Sequence, residues 1–128
     1  MEQPNLVLTV LEDIFNIHRL ASVSSLPEGI SECDFYSLSK TADELSLVCP
    51  EHLALKSEKH SPDWKCLKVA GPLDFKLTGI IAGITDVLAK ERISVFVVST
   101  FDTDYILIKK QNLTNVVFAL ERVGYQIN

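Results

Sequence analysis

The sequence predicts an α+β protein made of two related ferredoxin-like units, residues 1–61 and 62–128. The second half alternates strand and helix patterns in the order β-α-β-β-α-β, which is the ferredoxin-like order. The first half repeats the central hairpin of that order, as expected for two units of common design. With 128 residues, 47% hydrophobic and 23% charged, the chain has the composition of a globular protein rather than a disordered one.

The second half begins with a predicted strand over residues 64–70, which Gly71 and Pro72 end. A helix follows, with Asp74 as its N-cap and Lys90 and Arg92 near its C-terminus. Its apolar residues repeat at helical spacing and form one face: Leu77, Ile80, Ile81, Ile84, Val87 and Leu88.

Two strands and a second helix complete this half. Residues 93–100 are rich in β-branched and aromatic side chains, residues 101–104 form a turn, and residues 105–109 return as a strand. Asn112 is placed to cap the second helix and Gly124 to end it. The apolar face of that helix consists of Leu113, Val116, Val117, Leu120 and Val123. A short strand over residues 125–127 closes the unit.

The first half is a degenerate copy. Residues 39–48 align with residues 99–108 at an offset of 60, and Leu53 aligns with Leu113, so each copy predicts strand, acidic turn, strand and a polar helix start. Strand patterns occupy residues 6–10 and 15–19, but no helical pattern follows them. The first helix of this half is therefore expected to be shortened or replaced by strand, and the polar residues 56–63 to be a linker.

Charge, hydrophobicity and cysteine spacing exclude several classes of partner and site. A formal net charge of −5 argues against a nucleic-acid partner, which requires clustered cations. The sequence shows neither a basic, apolar secretory leader nor an apolar run of the ~20 residues that a membrane span needs. The three cysteines, Cys33, Cys49 and Cys66, match no metal or redox spacing, so free thiols in a reducing, cytoplasmic compartment are expected.

Catalysis is not expected. The three histidines, His18, His52 and His60, lie in polar or strand-like sequence outside any metal-binding or nucleophile motif. We therefore predict no catalytic residues, no metal and no cofactor.

Several segments resemble a known family. They are residues 69–75, 78–80, 88–89, 93–96 and above all 99–107 (STFDTDYIL), with residues 35–50 in the first half. These segments look like those of bacterial tandem ACT-domain proteins, and are similar to the ACT region of the cytosolic arginine sensors (the CASTOR proteins) and to the regulatory ACT domains of aspartate kinases. The resemblance implies two interlocked ACT units, a homodimer, and binding of a free amino acid, such as arginine or another cationic one, at an ACT interface.

Sheet topology predicts where such a ligand would bind. The first helix of the second half begins beside the hairpin at 100–104. Backbone N–H groups at the helix start suit a carboxylate, whereas acidic side chains suit an ammonium or guanidinium group. The candidate ligand-binding residues are Asp74, Phe75, Leu77, Thr78, Gly79, Ile80, Thr100, Phe101, Asp102 and Asp104.

Each candidate has a structural alternative. Asp74 is expected chiefly to cap the helix, Asp102 to make ordinary turn contacts, and Phe101 to cover the core rather than a ligand. Gly79 fits close helix–sheet packing as well as ligand access. Asp104 is the strongest candidate, because acids are disfavoured in strands and the resemblance places it where the arginine sensors hold the cationic side chain of their ligand. A dimerisation module without a small ligand is the alternative function.

Overall fold

A computed structural model describes residues 6–57, 59–70 and 78–128. Its strands and helices are β1 (Val7–Val10), β2 (Phe15–Leu20), β3 (Ser37–Lys40), β4 (Leu45–Pro50), β5 (Lys59–Val69), α1 (Ile80–Lys90), β6 (Phe96–Ser99), β7 (Asp104–Lys109), α2 (Leu113–Arg122) and β8 (Gln126–Ile127). Short 3-10 turns occupy Ile30–Glu32 and Lys110–Asn112. The predicted α+β class is confirmed. None of the helices in these residues is long and apolar enough to cross a bilayer.

The contacts divide the chain into two compact units. The split unit comprises Met1–Glu12 and Lys65–Asn128, and the continuous unit comprises Asp13–Trp64. Strand β5 contributes its first residues to the continuous unit and its last residues to the split unit. The predicted division into repeats at residues 1–61 and 62–128 follows sequence similarity rather than contacts, and it stays a prediction.

The sheet of the split unit has the order β6-β7-β5-β1-β8. Strands β5, β6, β7 and β8 with helices α1 and α2 form the predicted β-α-β-β-α-β order. The chain's first strand, β1, lies between β5 and β8, antiparallel to β5 and parallel to β8. The N-terminal strand pattern, which was predicted to belong to the first half, thus completes the sheet of the split unit.

Both helices of the split unit pack their predicted apolar faces into one core. The buried helical residues are Ile80, Ile84, Leu88, Val116 and Leu120, and they contact strand residues that include Leu8, Leu67, Val69, Ile106 and Ile108. Val123 is the exception, being 49% exposed. It follows the last turn of α2, so the helical spacing no longer directs its side chain inward.

The two helices end in the same way. At α2, Gly124 has φ 106 and donates its N–H to Glu121, while the Tyr125 N–H donates to Leu120. At α1, Arg92 has φ 59 and Ile93 donates to Leu88. This is the left-handed C-terminal motif that satisfies the last helical carbonyls. Gly124 confirms its predicted role, whereas Asn112 precedes α2 without donating or accepting a side-chain cap hydrogen bond.

The continuous unit has the strand order β3-β4-β2-β5, the ferredoxin-like order without α-helices in its described residues. The missing first helix was predicted, and the 3-10 turn Ile30–Glu32 takes its place. The predicted helix start after β4 is wrong, because the chain there is a turn followed by irregular backbone. Leu53 and Leu55 both pack against the core. Their spacing of two residues suits an extended chain rather than a helix.

The predicted linker 56–63 is also wrong in part, because β5 begins at Lys59. Residues 59–61 pair with Arg19, His18 and Ile17 of β2, and Trp64 pairs with Phe15. The register shifts between Phe15 and Ile17. Pro62 and Asp63 lie at this irregularity, where a strand tolerates proline because no ladder hydrogen bond is required of it.

The two hairpins share one geometry, which confirms the internal repeat but corrects its offset. Lys40 pairs with Leu45 as Ser99 pairs with Asp104, so the structural offset is 59 rather than 60. The turns agree: Thr41 donates its N–H to Glu44 at 2.9 Å, and Thr100 donates its N–H to Thr103 at 2.8 Å. Leu45, rather than Glu44, is therefore the counterpart of Asp104.

Candidate functional site

The hairpin between β6 and β7 is held rigidly at its tip. The Thr100 hydroxyl accepts the N–H of Thr103 at 3.2 Å and donates to the Thr103 carbonyl at 3.1 Å. The Thr103 hydroxyl is buried and donates to the carbonyl of Val69, at the end of β5, at 2.7 Å. This bond ties the hairpin to the strand from which the chain continues toward α1.

Asp104 is the first residue of β7 and is half-buried. Its Oδ1 accepts a hydrogen bond from the hydroxyl of Ser99, its partner across the hairpin, at 2.6 Å. Within the described residues, its Oδ2 has no such donor. Its backbone pairing with Ser99 of β6 fixes the position of this carboxylate.

Helix α1 begins at Ile80, with Gly79 as its N-cap. Gly79 has φ 79, a left-handed conformation that cannot continue the helix, so the predicted cap at Asp74 is wrong. A Cβ added to Gly79 would meet nothing within 4 Å, so close packing does not explain this glycine, whereas its positive φ does. Gly79 also offers no side chain to the first N–H groups of the helix, which have no partners within the helix.

The remaining predicted site residues differ in their exposure. Thr78 is exposed and Ile80 is buried in the core of the split unit, next to residues such as Val69 and Ile106. Asp102 is exposed. Phe101 is 80% exposed, so the expectation that it covers the core is wrong. Asp74, Phe75 and Leu77 lie outside the described residues.

The structure thus brings the hairpin members of the candidate set together. Thr100 and Asp104 share a hairpin that Thr103 anchors to β5. Among the described residues, no hydrogen bond or ion pair links Asp104 to residues 78–80. Sequence reasoning missed Thr103, the polar residue that fixes the hairpin. Its only distinguishing mark in the sequence is its place inside the STFDTDY segment.

A cavity of about 480 Å³ in the continuous unit was not predicted. The residues that line it are Asp13, Gly29, Glu32, Cys33, Asp34, His52 and Leu53. Burial raises the pKa of the Cys33 thiol, and the carboxylates of Asp13, Asp34 and Glu32 raise it further. Among the described residues, no three histidine, cysteine or acidic side chains are placed to hold a metal ion.

Comparison with known proteins places this geometry in a family. A model of the ACT domain matches residues 59–122. The chain belongs to the ACT-domain family. A second family model, which describes an N-terminal domain, matches residues 13–53.

Curated relatives include subunit 1 of the cytosolic arginine sensor for mTORC1. The protein from Pongo abelii is 30% identical over 130 residues, covering 93% of this chain and 39% of the sensor. The human protein is 29% identical over the same shares. This ACT protein therefore spans about two fifths of the length of the sensors it matches.

Solved structures agree with the ACT fold. A crystal structure of a protein from Agrobacterium tumefaciens superposes with a TM-score of 0.90 and 32% identity, covering 98% of this chain and 94% of that chain. The aspartate kinase of Clostridium acetobutylicum superposes with a TM-score of 0.65 and 14% identity, covering 88% of this chain and 33% of the kinase. At that identity the likeness to the kinase concerns the fold alone.

Proposed function

We propose that this ACT protein is a regulatory module that binds a free amino acid and catalyses no reaction. The observation that carries the proposal is the Asp104 carboxylate, which is half-buried, fixed by strand pairing and engaged at only one oxygen among the described residues. The similarity to arginine sensors over 93% of the chain supports an amino-acid ligand.

The proposed ligand is cationic, such as arginine or a similar amino acid. Its carboxylate would accept hydrogen bonds from the N–H groups at the start of α1, where the helix dipole favours negative charge. Its cationic end would donate to Asp104. Charge-assisted hydrogen bonds of this kind contribute about 1.5–3 kcal/mol each. Asp74, Phe75 and Leu77 remain part of the proposed site, together with Thr78, Gly79, Thr100 and Asp102.

A homodimer in the cytoplasm is part of the same proposal. The names of the curated relatives describe cytosolic sensors. A second candidate function, dimerisation without a small ligand, is favoured by strand β6. It pairs with β7 alone among the described strands, and its Val97 is 37% exposed. Such an edge offers unpaired backbone groups to another strand.

Isothermal titration calorimetry with arginine, lysine and the remaining amino acids tests the proposal. We expect one amino acid to bind to the wild-type protein and binding to be weakened at least tenfold by Asp104→Asn, since a charge-assisted hydrogen bond is lost. Asp43→Asn is the matched control, because it removes an equally charged, exposed carboxylate from the corresponding hairpin of the continuous unit, outside the proposed site. It should leave binding unchanged.

Other outcomes decide between the alternatives. Binding that survives Asp104→Asn but is lost in Asp34→Asn would place the ligand in the cavity of the continuous unit. If no amino acid releases heat or raises the melting temperature while light scattering shows a dimer, the dimerisation function is correct instead.

A further inference from the structure

The continuous unit buries a histidine in the middle of its sheet. His18 is 4% exposed and pairs in register with His60 of β5 and with Leu47 of β4. The His18 and His60 rings stack with their centroids 5.8 Å apart and their planes at 24°. The proposed ligand site does not use either residue.

Ser57 determines which nitrogen of His18 carries the proton. The Ser57 hydroxyl donates to the carbonyl of Lys59 at 3.2 Å, so its oxygen is left to accept. His18 Nδ1 lies 2.8 Å from that oxygen. Both hydrogen bonds form when Nδ1 is the donor, so we assign neutral His18 the tautomer with its proton on Nδ1.

The other nitrogen, Nε2, is buried and has no hydrogen-bond partner. A proton placed there would be a buried N–H donor without an acceptor, on a ring that carries a full charge. Such groups are costly in a protein interior. Burial lowers the pKa of His18, and the neighbouring His60 lowers it further.

From this arrangement we propose that His18 is an acid-sensitive latch, which holds the first residues of β5 on β2 while it is neutral and releases them when it is protonated. The latch contains three contacts around one ring: the Ser57 hydrogen bond, the His60 stack and the backbone pairing of residues 59–61 with β2.

Among the described residues paired with His18, His60 is the one titratable side chain on the same face of the sheet. On β4 its partner is the apolar Leu47. Arg19 and Lys59 are the neighbouring pair, but successive strand residues point to opposite faces. Arg19 also donates to the carbonyl of Asp43 at 3.1 Å, away from His18. A nearby carboxylate that would stabilise imidazolium is absent from these pairs.

The direction of the pH effect follows from linkage. Since the pKa of His18 is lower in the folded protein than its ordinary value of 6.5, the unfolded chain binds the proton more tightly. Stability contributed by neutral His18 is therefore complete above about pH 6.5 and decreases as the pH falls toward the folded-state pKa. The folding equilibrium constant loses up to about tenfold per pH unit within that window.

Denaturant unfolding of the full chain at pH 7.5 and pH 5.5 tests the latch. We expect the wild-type folding constant to fall between the two, by up to about tenfold, the limit set by the linkage of one proton. His18→Asn keeps a donor near Nδ1 for Ser57 but cannot be protonated, so its pH-dependent loss should disappear. His52→Gln is the matched control, because His52 is the exposed third histidine, and it should behave as the wild type.

A second measurement does not depend on how stable the variants are. Nitrogen-15 NMR of the wild-type histidines should show His18 titrating below the ordinary histidine pKa of 6.5, with the proton of its neutral form on Nδ1, and His60→Gln should move this titration to higher pH. An equal pH-dependent loss in His18→Asn and wild type would overturn the proposal, as would a His18 ring that titrates at or above the ordinary pKa of 6.5.

Discussion

Thr103 shows how much a single buried hydroxyl contributes to the candidate site. It is 4% exposed and donates to the Val69 carbonyl, while its backbone N–H is satisfied by Thr100. Replacing the hydroxyl by a methyl group of similar size leaves a buried carbonyl without its donor. That change is costly even though the packing volume is retained.

We therefore expect Thr103→Val to lower the free energy of unfolding by about 1–3 kcal/mol. Urea denaturation followed by circular dichroism measures the change. Thr9→Val is the matched control, since Thr9 is an exposed threonine on a strand of the same unit, and it should alter stability by less than about 0.5 kcal/mol. A neutral Thr103→Val would mean that the bond to Val69 does not hold the hairpin.

Residue-scale prediction from the sequence began with a residue type that conflicts with its element, and the binding role of Asp104 stays a prediction. Asp104 stood out because a carboxylate is unusual in a strand, and the structure finds it half-buried with a single hydrogen-bond partner, Ser99. The prediction that Phe101 covers the core was wrong for a different reason. Large apolar residues are normally buried, yet the turn geometry set by Thr100 directs this ring outward.

The helix ends offer a prediction at the scale of elements. Arg92 and Gly124 occupy the same left-handed position after α1 and α2, with φ 59 and φ 106. A residue with a Cβ is strained there by about 1–2 kcal/mol, whereas glycine is not.

Arg92→Gly is expected to raise the free energy of unfolding by up to about 1 kcal/mol, after the entropy that glycine adds to the unfolded chain. Gly124→Ala is the reciprocal variant. Its added Cβ meets nothing within 4 Å, so only the backbone strain should lower stability, by about 1–2 kcal/mol. Thermal and urea unfolding measure both changes, and a stabilising Gly124→Ala would contradict the argument.

Helices with a regular repeat of apolar residues were predicted correctly. Segments whose conformation is set by contacts with residues distant in sequence were not. The faces of α1 and α2 follow from 3.6-residue spacing alone, and both helices are present. The start of β5 could not be read from its polar residues, because pairing with β2 rather than hydrophobicity makes residues 59–61 a strand. The helix predicted after β4 is absent for a related reason. Leu53 and Leu55 pack against the core of the continuous unit, and this tertiary packing cannot be inferred from local sequence.

At the scale of the whole molecule, the reactivity of two buried cysteines measures the unfolding of the two units. Cys49 lies in the continuous unit and Cys66 in the split unit. Burial raises the pKa of the Cys49 thiol to about 11 and that of Cys66 to about 12. Because the thiolate is the reactive form, neither should react with a thiol reagent while its unit is folded.

Pulse labelling with a thiol reagent across a urea gradient, read by mass spectrometry of the peptides, compares the two units. We expect Cys49 and Cys66 to become reactive at the same urea concentration, because β5 supplies a strand to each unit and its loss disrupts both. The half-buried Cys33 serves as the internal control and should react earlier. Exposure of Cys49 well before Cys66 would show that the units unfold separately.

The position of β1 has a consequence for how this protein is made. Val7 pairs with Gln126 and Leu8 with Val69, so β1 has no strand partner until the later strands β5 and β8 have been translated. Residues 13–64, by contrast, contain all four strand segments of their own sheet. A nascent chain can therefore pair the strands of that unit before β1 has its own partners, and the pairing of β1 with β5 and β8, which are distant in sequence, is expected to form last.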